Sequence, residues 1–257
     1  MILAIDAGNT NIVLGCLVGE STRFTARFRT DRAKTEDEYA LYFRSLFDLH
    51  QVDRQAIEGA ILSCVVSELT DVLCKAIETV IHKRPMVVGA GLKTGLNIKI
   101  DNPAQLGADL VADAVAALAK YPSPIVIFDM GTANTMSVID GEGRFLGGAI
   151  MAGPRLSVDS LSTRTSQLPH IELDFPAKVI GRNTIQCMQS GVIYGHAAMI
   201  DGLIERVQEE LGEPLATVVA TGGLSKQIIP ACRHKIILDD DLMLHGLQII
   251  YEKNKRP

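Results

Sequence analysis

The sequence predicts an α/β protein made of two similar lobes, 1–115 and 116–257, related by internal duplication. Three observations predict it. Short apolar runs alternate along the chain with segments of helical periodicity. Two of those runs, ILAID (2–6) and PIVIFD (124–129), end in aspartate. Each is followed at once by a glycine turn and a returning strand.

In order, residues 2–6 read as a strand, AGNTN as a turn, IVLGCLV as a returning strand, Gly19-Glu20 as a second turn and TRFTARF as a third strand. Residues 36–49 place Tyr39, Leu41, Tyr42, Leu46 and Phe47 at spacings that suit an amphipathic helix. GAILSCVV (59–66), a helix over 67–82 and MVVG (86–89) complete a first α/β block. Residues 107–120 form a helix with Leu110, Val111, Ala114, Val115 and Leu118 on one face, ended by Tyr121-Pro122. PIVIFD, TMSVID and RFLGGAI then repeat the strand–turn–strand order, with Gly141-Glu142-Gly143 as a turn. The longest helical signal covers 183–211, and Gly212 stops it. Gly191 and Gly195 lie one turn apart inside it, a spacing that lets another backbone approach. VVATGG (218–223) is a strand entering a Gly-Gly turn, and Asp239–Asp241 precede a final helix that they can cap.

The composition limits the function. Of 257 residues, 25 are Lys or Arg and 30 are Asp or Glu, a formal charge of −5. With 47% hydrophobic residues there is apolar material for a core, which excludes disorder as the main state. The net acidity argues against a nucleic-acid partner, and the basic tail Lys253, Lys255, Arg256 reads as a solvated end. Cys16, Cys64, Cys74, Cys187 and Cys232 never form a C-x-x-C pair, which reads as reduced thiols. The first residues lack a basic n-region, and no apolar run approaches the ~18 residues of a membrane span. A cytoplasmic protein with no membrane contact is expected. The six histidines fall at no metal spacing, and Ser160, Ser162 and Thr163 occupy a polar loop without a nucleophile elbow.

The duplication can be laid out by residue. Asp6 and Asp129 are 123 positions apart; at that offset Gly8 meets Gly131, Asn11 meets Asn134 and Asn9 meets Thr132. A strand ending in Asp, then Gly and small polar residues, is a sound phosphate clamp. Glycine lets the backbone come close and tolerates positive φ, and successive N–H groups suit an anion. Asn9, Thr10 and Thr132 add neutral donors. The aspartates suit a hard cation, through water in the case of Mg²⁺. One such turn alone is ordinary hairpin chemistry; two at equivalent positions favour phosphate. Thr221-Gly222-Gly223 could let an adenine lie on the backbone. Neither a P-loop nor a G-x-G-x-x-G motif is present. Asp109, at the start of a helix, reads either as a first-turn carboxylate or as a base that orients a substrate hydroxyl. Asp113, one turn on, reads as solvent-facing.

The segments DAGNTNIVLG (6–15), DNPAQLGADL (101–110), DMGTANT (129–135), FLGGAIMAG (145–153), IGRNTIQCMQSGVIYG (180–195), ATGGL (220–224) and LHGLQIIYEKN (244–254) resemble the type III pantothenate kinases of the acetate-kinase/hsp70/actin-like superfamily. The resemblance implies two ribonuclease-H-like (actin-like ATPase) lobes with a cleft between them, a homodimer, and ATP-dependent phosphorylation of pantothenate, the first step of coenzyme A synthesis. It also implies Mg²⁺ and a monovalent cation, K⁺ or NH₄⁺. By position it assigns Asp6, Ala7, Gly8, Asn9, Thr10, Asn11, Ile12 and Val13 to ATP, with Thr132, Gly222 and Gly223. Asp129 falls to the monovalent cation and Asp6 to Mg²⁺ through water. Ile100, Gly107, Ala108, Asp109, Leu110 and Thr184 fall to pantothenate, with Asp109 as the catalytic base.

The chain departs from the resembled pattern at four places. Leu110 stands where the pattern G-A-D-R has Arg, Ile100 where Tyr is frequent, Ala152 where Pro precedes Gly153, and Asp113 where Asn is usual. Three of the four surround the acceptor side, and Leu110 removes an oriented charged donor. The ATP-side motifs are intact. The alternative to a pantothenate kinase is therefore a nucleotide-binding homologue with an altered acceptor or a non-catalytic regulatory role.

Overall fold

The computed structural model describes residues 1–19 and 21–255. Glu20 of the expected second turn and Arg256 of the basic tail lie outside the described residues. In chain order the elements begin β1 (Ile2–Ala7), β2 (Asn11–Val18), β3 (Ser21–Arg29), α1 (Glu36–Leu49), β4 (Gly59–Cys64), α2 (Thr70–Ile81), β5 (Met86–Val87) and β6 (Asn97–Ile98). They continue with α3 (Ala108–Lys120), β7 (Ile125–Met130), β8 (Ala133–Ile139), β9 (Arg144–Ala152), α4 (Pro154–Arg164) and α5 (Thr184–Leu211). The last are β10 (Thr217–Thr221), α6 (Ser225–Ile228), β11 (Ile237–Leu238) and α7 (Leu242–Asn254).

Two compact units result, and neither is one continuous stretch of chain. The first takes residues 1–96, 101–119 and the segment from Asp241 onward; the second takes 97–100 and 120–240. A linear division at 115/116 does not describe these units, because the last helix packs with the first strands. Leu244, Leu247, Ile250 and Tyr251 of α7 share a buried cluster with Ile2 and Ala4 of β1.

The first sheet has the order β3-β2-β1-β4-β5. β1 and β4 are parallel, and β1, β2 and β3 form an antiparallel meander. Alternate residues of β1 face opposite ways. Leu3 and Ile5 pack with α1 and α2, whereas Ile2 and Ala4 pack with α3 and α7. The second sheet has the order β11-β10-β7-β8-β9-β6. Without the short β6 it repeats the first in order and in strand sense. Its β7–β8–β9 meander buries Val126, Phe128, Met130, Met136 and Val138 against α5 and α6.

The helices show where periodicity misleads. In α1 the buried stripe is Tyr39, Phe43 and Phe47 at strict i, i+4 spacing, with Ala40 beside it. Leu41 is 63% exposed and Tyr42 is half-exposed, so the expected face is rotated. The start of α1 is fixed by a capping box between Thr35 and Glu38. Asp113 is buried at 2% exposure and does not face solvent, because α3 packs on both sides and all of Val111–Ala117 is covered. Ser160, Ser162 and Thr163 lie in α4 and not in a loop.

Other expected roles fall to different residues. An added Cβ at Gly191 or Gly195 meets nothing within 4 Å, so no backbone of the described chain approaches them. That service is performed by Gly246, whose added Cβ would lie 1.9 Å from the Ala112 carbonyl oxygen. Of the three expected caps, Asp239 binds the Lys120 ammonium and the Tyr121 hydroxyl, both at 2.7 Å. Asp240 pairs with Lys226. Asp241 occupies the N-cap position without a capping bond from its side chain.

Gly246→Ala should destabilise the first unit by about 1–3 kcal/mol, since backbone and not a flexible side chain would have to move. Urea unfolding monitored by circular dichroism would measure it, and an unchanged midpoint would refute the close approach of α3 and α7.

Candidate active site

The first glycine turn is held by its own carbonyl groups. Gly8 N–H donates to Asn11 O at 3.0 Å, Thr30 N–H to Thr10 O at 2.9 Å, and Val65 N–H to Ala7 O at 3.1 Å. The Thr30 hydroxyl adds a bond to Gly8 O at 2.7 Å. Four of the five carbonyl oxygens from Ala7 to Asn11, all except Asn9 O, are thus directed into protein. This is the arrangement an anion requires, because carbonyl oxygens lining the pocket would repel it.

The second turn repeats the scheme. Gly131 N–H donates to Ala133 O at 3.2 Å, Gly153 N–H to Thr132 O at 3.1 Å, and Leu224 N–H to Met130 O at 3.2 Å. Thr30 and Gly153 each follow the third strand of their meander, and Val65 and Leu224 each follow the strand parallel to the first. The correspondence is therefore structural, and it corrects the sequence offset. The second turn is one residue shorter: Ala7 pairs with Ile12, whereas Met130 pairs with Asn134. Thr132 matches Thr10 and Ala133 matches Asn11. Asn134 takes the place of buried Ile12 and is 2% exposed. Among the described residues its side-chain amide has no hydrogen-bond partner.

Neither Gly8 nor Gly131 adopts positive φ. At Gly8 the requirement is space, since an added Cβ would lie 3.2 Å from Asn11 O. Positive φ is used at Gly222, at +89°. There an added Cβ would meet Asp129 Oδ1 at 2.4 Å and Met130 N at 2.6 Å. Thr221 pairs with Asp129 across β10 and β7, so Asp129, Thr132 and Gly222 come together at one end of the second sheet. Gly153 backs them, because its missing Cβ leaves room for the Thr132 and Gly131 carbonyls. In the first unit Asp6 is the penultimate residue of β1, and its Oδ1 accepts from the Ser63 hydroxyl at 2.9 Å.

The acceptor-side residues divide between the units. In the first, Asp109 lies in the opening turn of α3, and its Oδ1 accepts from Leu110 N–H at 2.9 Å. An added Cβ at Gly107 would lie 2.3 Å from that oxygen, so a side chain there would displace the carboxylate. Asp109 and Leu110 are both half-buried. In the second, Ile100 lies against Gly147. Thr184 opens α5 and lines a cavity of about 630 Å³ with Met151, Ser157, Leu168, Met188 and His196. Among the described residues no three His, Cys, Asp or Glu side chains cluster as a metal site. A cation at Asp6 would therefore depend on phosphate and water for its other ligands, as Mg²⁺ commonly does.

Two sheets of one strand order, each with a glycine turn after its first strand, define a duplicated α/β protein of the actin-like fold. Solved structures share that fold. A protein described as a Baf family transcriptional activator from Campylobacter jejuni superposes with a TM-score of 0.61 at 18% identity, covering 98% of both chains. The activator of 2-hydroxyisocaproyl-CoA dehydratase from Clostridium difficile, with bound ADPNP, gives 0.57 at 15% identity, covering 97% of this chain and 93% of its own. The family follows from sequence: residues 2–206 match the type III pantothenate kinases, and the chain belongs to that family. A type III pantothenate kinase of an Exiguobacterium species is 47% identical over 256 residues, covering the whole of both chains.

Thr30, Ser63 and Gly153 hold the turns and were not singled out by sequence reasoning. Gly153 lies in a matching segment, but Thr30 and Ser63 carry no local signal, since their roles exist only through strand pairing. Gly222→Ala should lower the melting temperature and weaken nucleotide binding more than Gly8→Ala, because it adds backbone strain to a clash with Asp129. Equal effects in differential scanning fluorimetry and calorimetry would contradict this ranking.

Proposed function

We propose that this kinase transfers the terminal phosphoryl group of ATP to the hydroxyl of pantothenate, giving 4′-phosphopantothenate, the first step of coenzyme A synthesis. The observation that carries the proposal is the pair of glycine turns with matched carbonyl bonding, in a member of the family that matches a relative over the whole of both chains.

The roles proposed for the residues follow from their chemistry. Asp6, Gly8, Asn9, Thr10, Asn11, Val13 and Thr132 contact the phosphates, Ala7 and Ile12 are buried in the core behind them, and Gly222 and Gly223 lie at the adenosine. Asp109 receives the hydroxyl proton. One of its oxygens is anchored to the start of α3, and among the described residues Oδ2 has no hydrogen-bond partner, which leaves it to accept. Thr184 and the apolar wall of its cavity suit the methyl-bearing part of the acceptor. Ile100, Gly107, Ala108 and Leu110 complete the acceptor contacts. Mg²⁺ near Asp6 would supply neutralisation of phosphate charge, and Asp129 would hold K⁺ or NH₄⁺. A homodimer and a cytoplasmic location are part of the same reading.

A changed acceptor is the second reading, and Leu110 favours it. A leucine cannot make the paired, charged bonds that a guanidinium offers a carboxylate. Coupled-assay kinetics with ATP and pantothenate test both readings. Asp109→Asn should lower kcat by 10²-fold or more, roughly the contribution of a general base. Leu110→Arg should raise kcat/KM for pantothenate by about tenfold, the order expected of a charged hydrogen bond. ATP binding without turnover of pantothenate by either the wild type or Leu110→Arg would overturn the pantothenate assignment.

A further inference from the structure

We propose that Arg32 is a positioning residue for the nucleotide phosphates, acting through the side chain of Asn9. The inference rests on the reading of the first turn as a phosphate contact and deepens it. Asn9 is the residue by which the first turn exceeds the second. It is exposed, and its backbone takes no part in the carbonyl bonding that fixes its neighbours. Left alone, its amide would rotate freely and present oxygen or nitrogen to a ligand with similar ease.

Arg32 removes that freedom. One terminal nitrogen donates to Asn9 Oδ1 at 3.0 Å, and the other lies 3.2 Å from Glu68 Oε1. A guanidinium has donors only, so the Asn9 atom it holds is the carbonyl oxygen, whose amide nitrogen then points elsewhere as a donor. A phosphate oxygen only accepts, so this orientation attracts it, and the flipped one would repel it.

The support for Arg32 is itself fixed. Thr30 is bound to the turn through both its N–H and its hydroxyl. Asp31 O accepts from the Tyr39 hydroxyl at 2.7 Å, and Asp31 N–H donates back to that oxygen. The Asp31 carboxylate accepts from Lys34 and from Ala33 N–H, both at 3.0 Å. The segment from Thr30 to Lys34 is thus a rigid strap along the turn, and Arg32 is its contact with Asn9. Setting one donor before the ligand arrives is preorganisation, and it lowers the ordering cost of binding.

The test compares Asn9→Ala, Arg32→Gln, Arg32→Lys and the Asn9→Ala/Arg32→Gln double variant in the full chain. ATP affinity by calorimetry, KM for ATP and for the acceptor, and melting temperature are measured for each. Arg32→Gln should raise Kd and KM for ATP about three- to tenfold, the worth of one hydrogen bond. The acceptor KM and the melting temperature should not change. Arg32→Lys should fall between wild type and Arg32→Gln, and the double variant should match Asn9→Ala. Wild-type ATP affinity in Arg32→Gln, beside an impaired Asn9→Ala, would overturn the inference alone. So would a double variant that loses the product of the two single effects, because Arg32 would then act independently of Asn9. An Asn9→Ala variant that binds ATP as wild type does would remove both the inference and the reading of Asn9. A wild type that binds no ATP would remove the proposed function with them.

Discussion

Each meander must dispose of the carbonyl oxygens at its first corner, and both do so by the same means. A corner between two antiparallel strands exposes both donors and acceptors, and only donors suit a phosphate. In each unit the acceptors are drawn away by two neighbours: the residue after the third strand, and a residue shortly beyond the parallel fourth strand, Val65 in the first unit and Leu224 in the second. Both are long-range partners, available only once the sheet order β3-β2-β1-β4, or its counterpart β9-β8-β7-β10, has formed. The fold is therefore the means by which the acceptors of an ordinary hairpin turn are directed into protein.

The two corners are not identical. The first carries Asn9, an added donor held by the strap from Thr30 to Lys34, and ends its first strand beside Ser63. The second is shorter and tighter, and glycines replace side chains around it. Gly153 admits two carbonyls, and Gly222 admits the Asp129 carboxylate. One corner thus offers side-chain donors, and the other brings a carboxylate and a hydroxyl together against bare backbone. Duplication supplied the frame, and substitution within each frame gave the two copies different chemistry.

Much of this was legible in the sequence. Strands with an aspartate at or next to their ends, α1, α5 with its stop at Gly212 and the repeated element order all rest on local pattern, and each forms close to where pattern places it. What the sequence could not show depends on contacts distant along the chain. The offset of 123 aligns the two aspartates correctly, but the one-residue deletion inside the second turn is visible only from strand register. The rotated face of α1 and the burial of Asp113 have the same origin, because periodicity counts apolar residues and cannot see what lies above a helix. At the acceptor side, Asp109 and Gly107 were legible as a pair. The contact that joins them, a carboxylate folded back over position 107, forms only in the folded chain.

The acceptor side also shows what a departure from pattern means physically. Leu110 follows the residue whose carboxylate is anchored to its own N–H, so its backbone serves Asp109 whatever its side chain. Replacing a guanidinium there leaves the base in place and changes only what the neighbouring side chain can bind. In the proposed function the parts that hold phosphate and orient a proton acceptor are retained, and the part that reads the far end of the acceptor is varied. Reaction type and substrate preference would thereby be separated within a single helical turn.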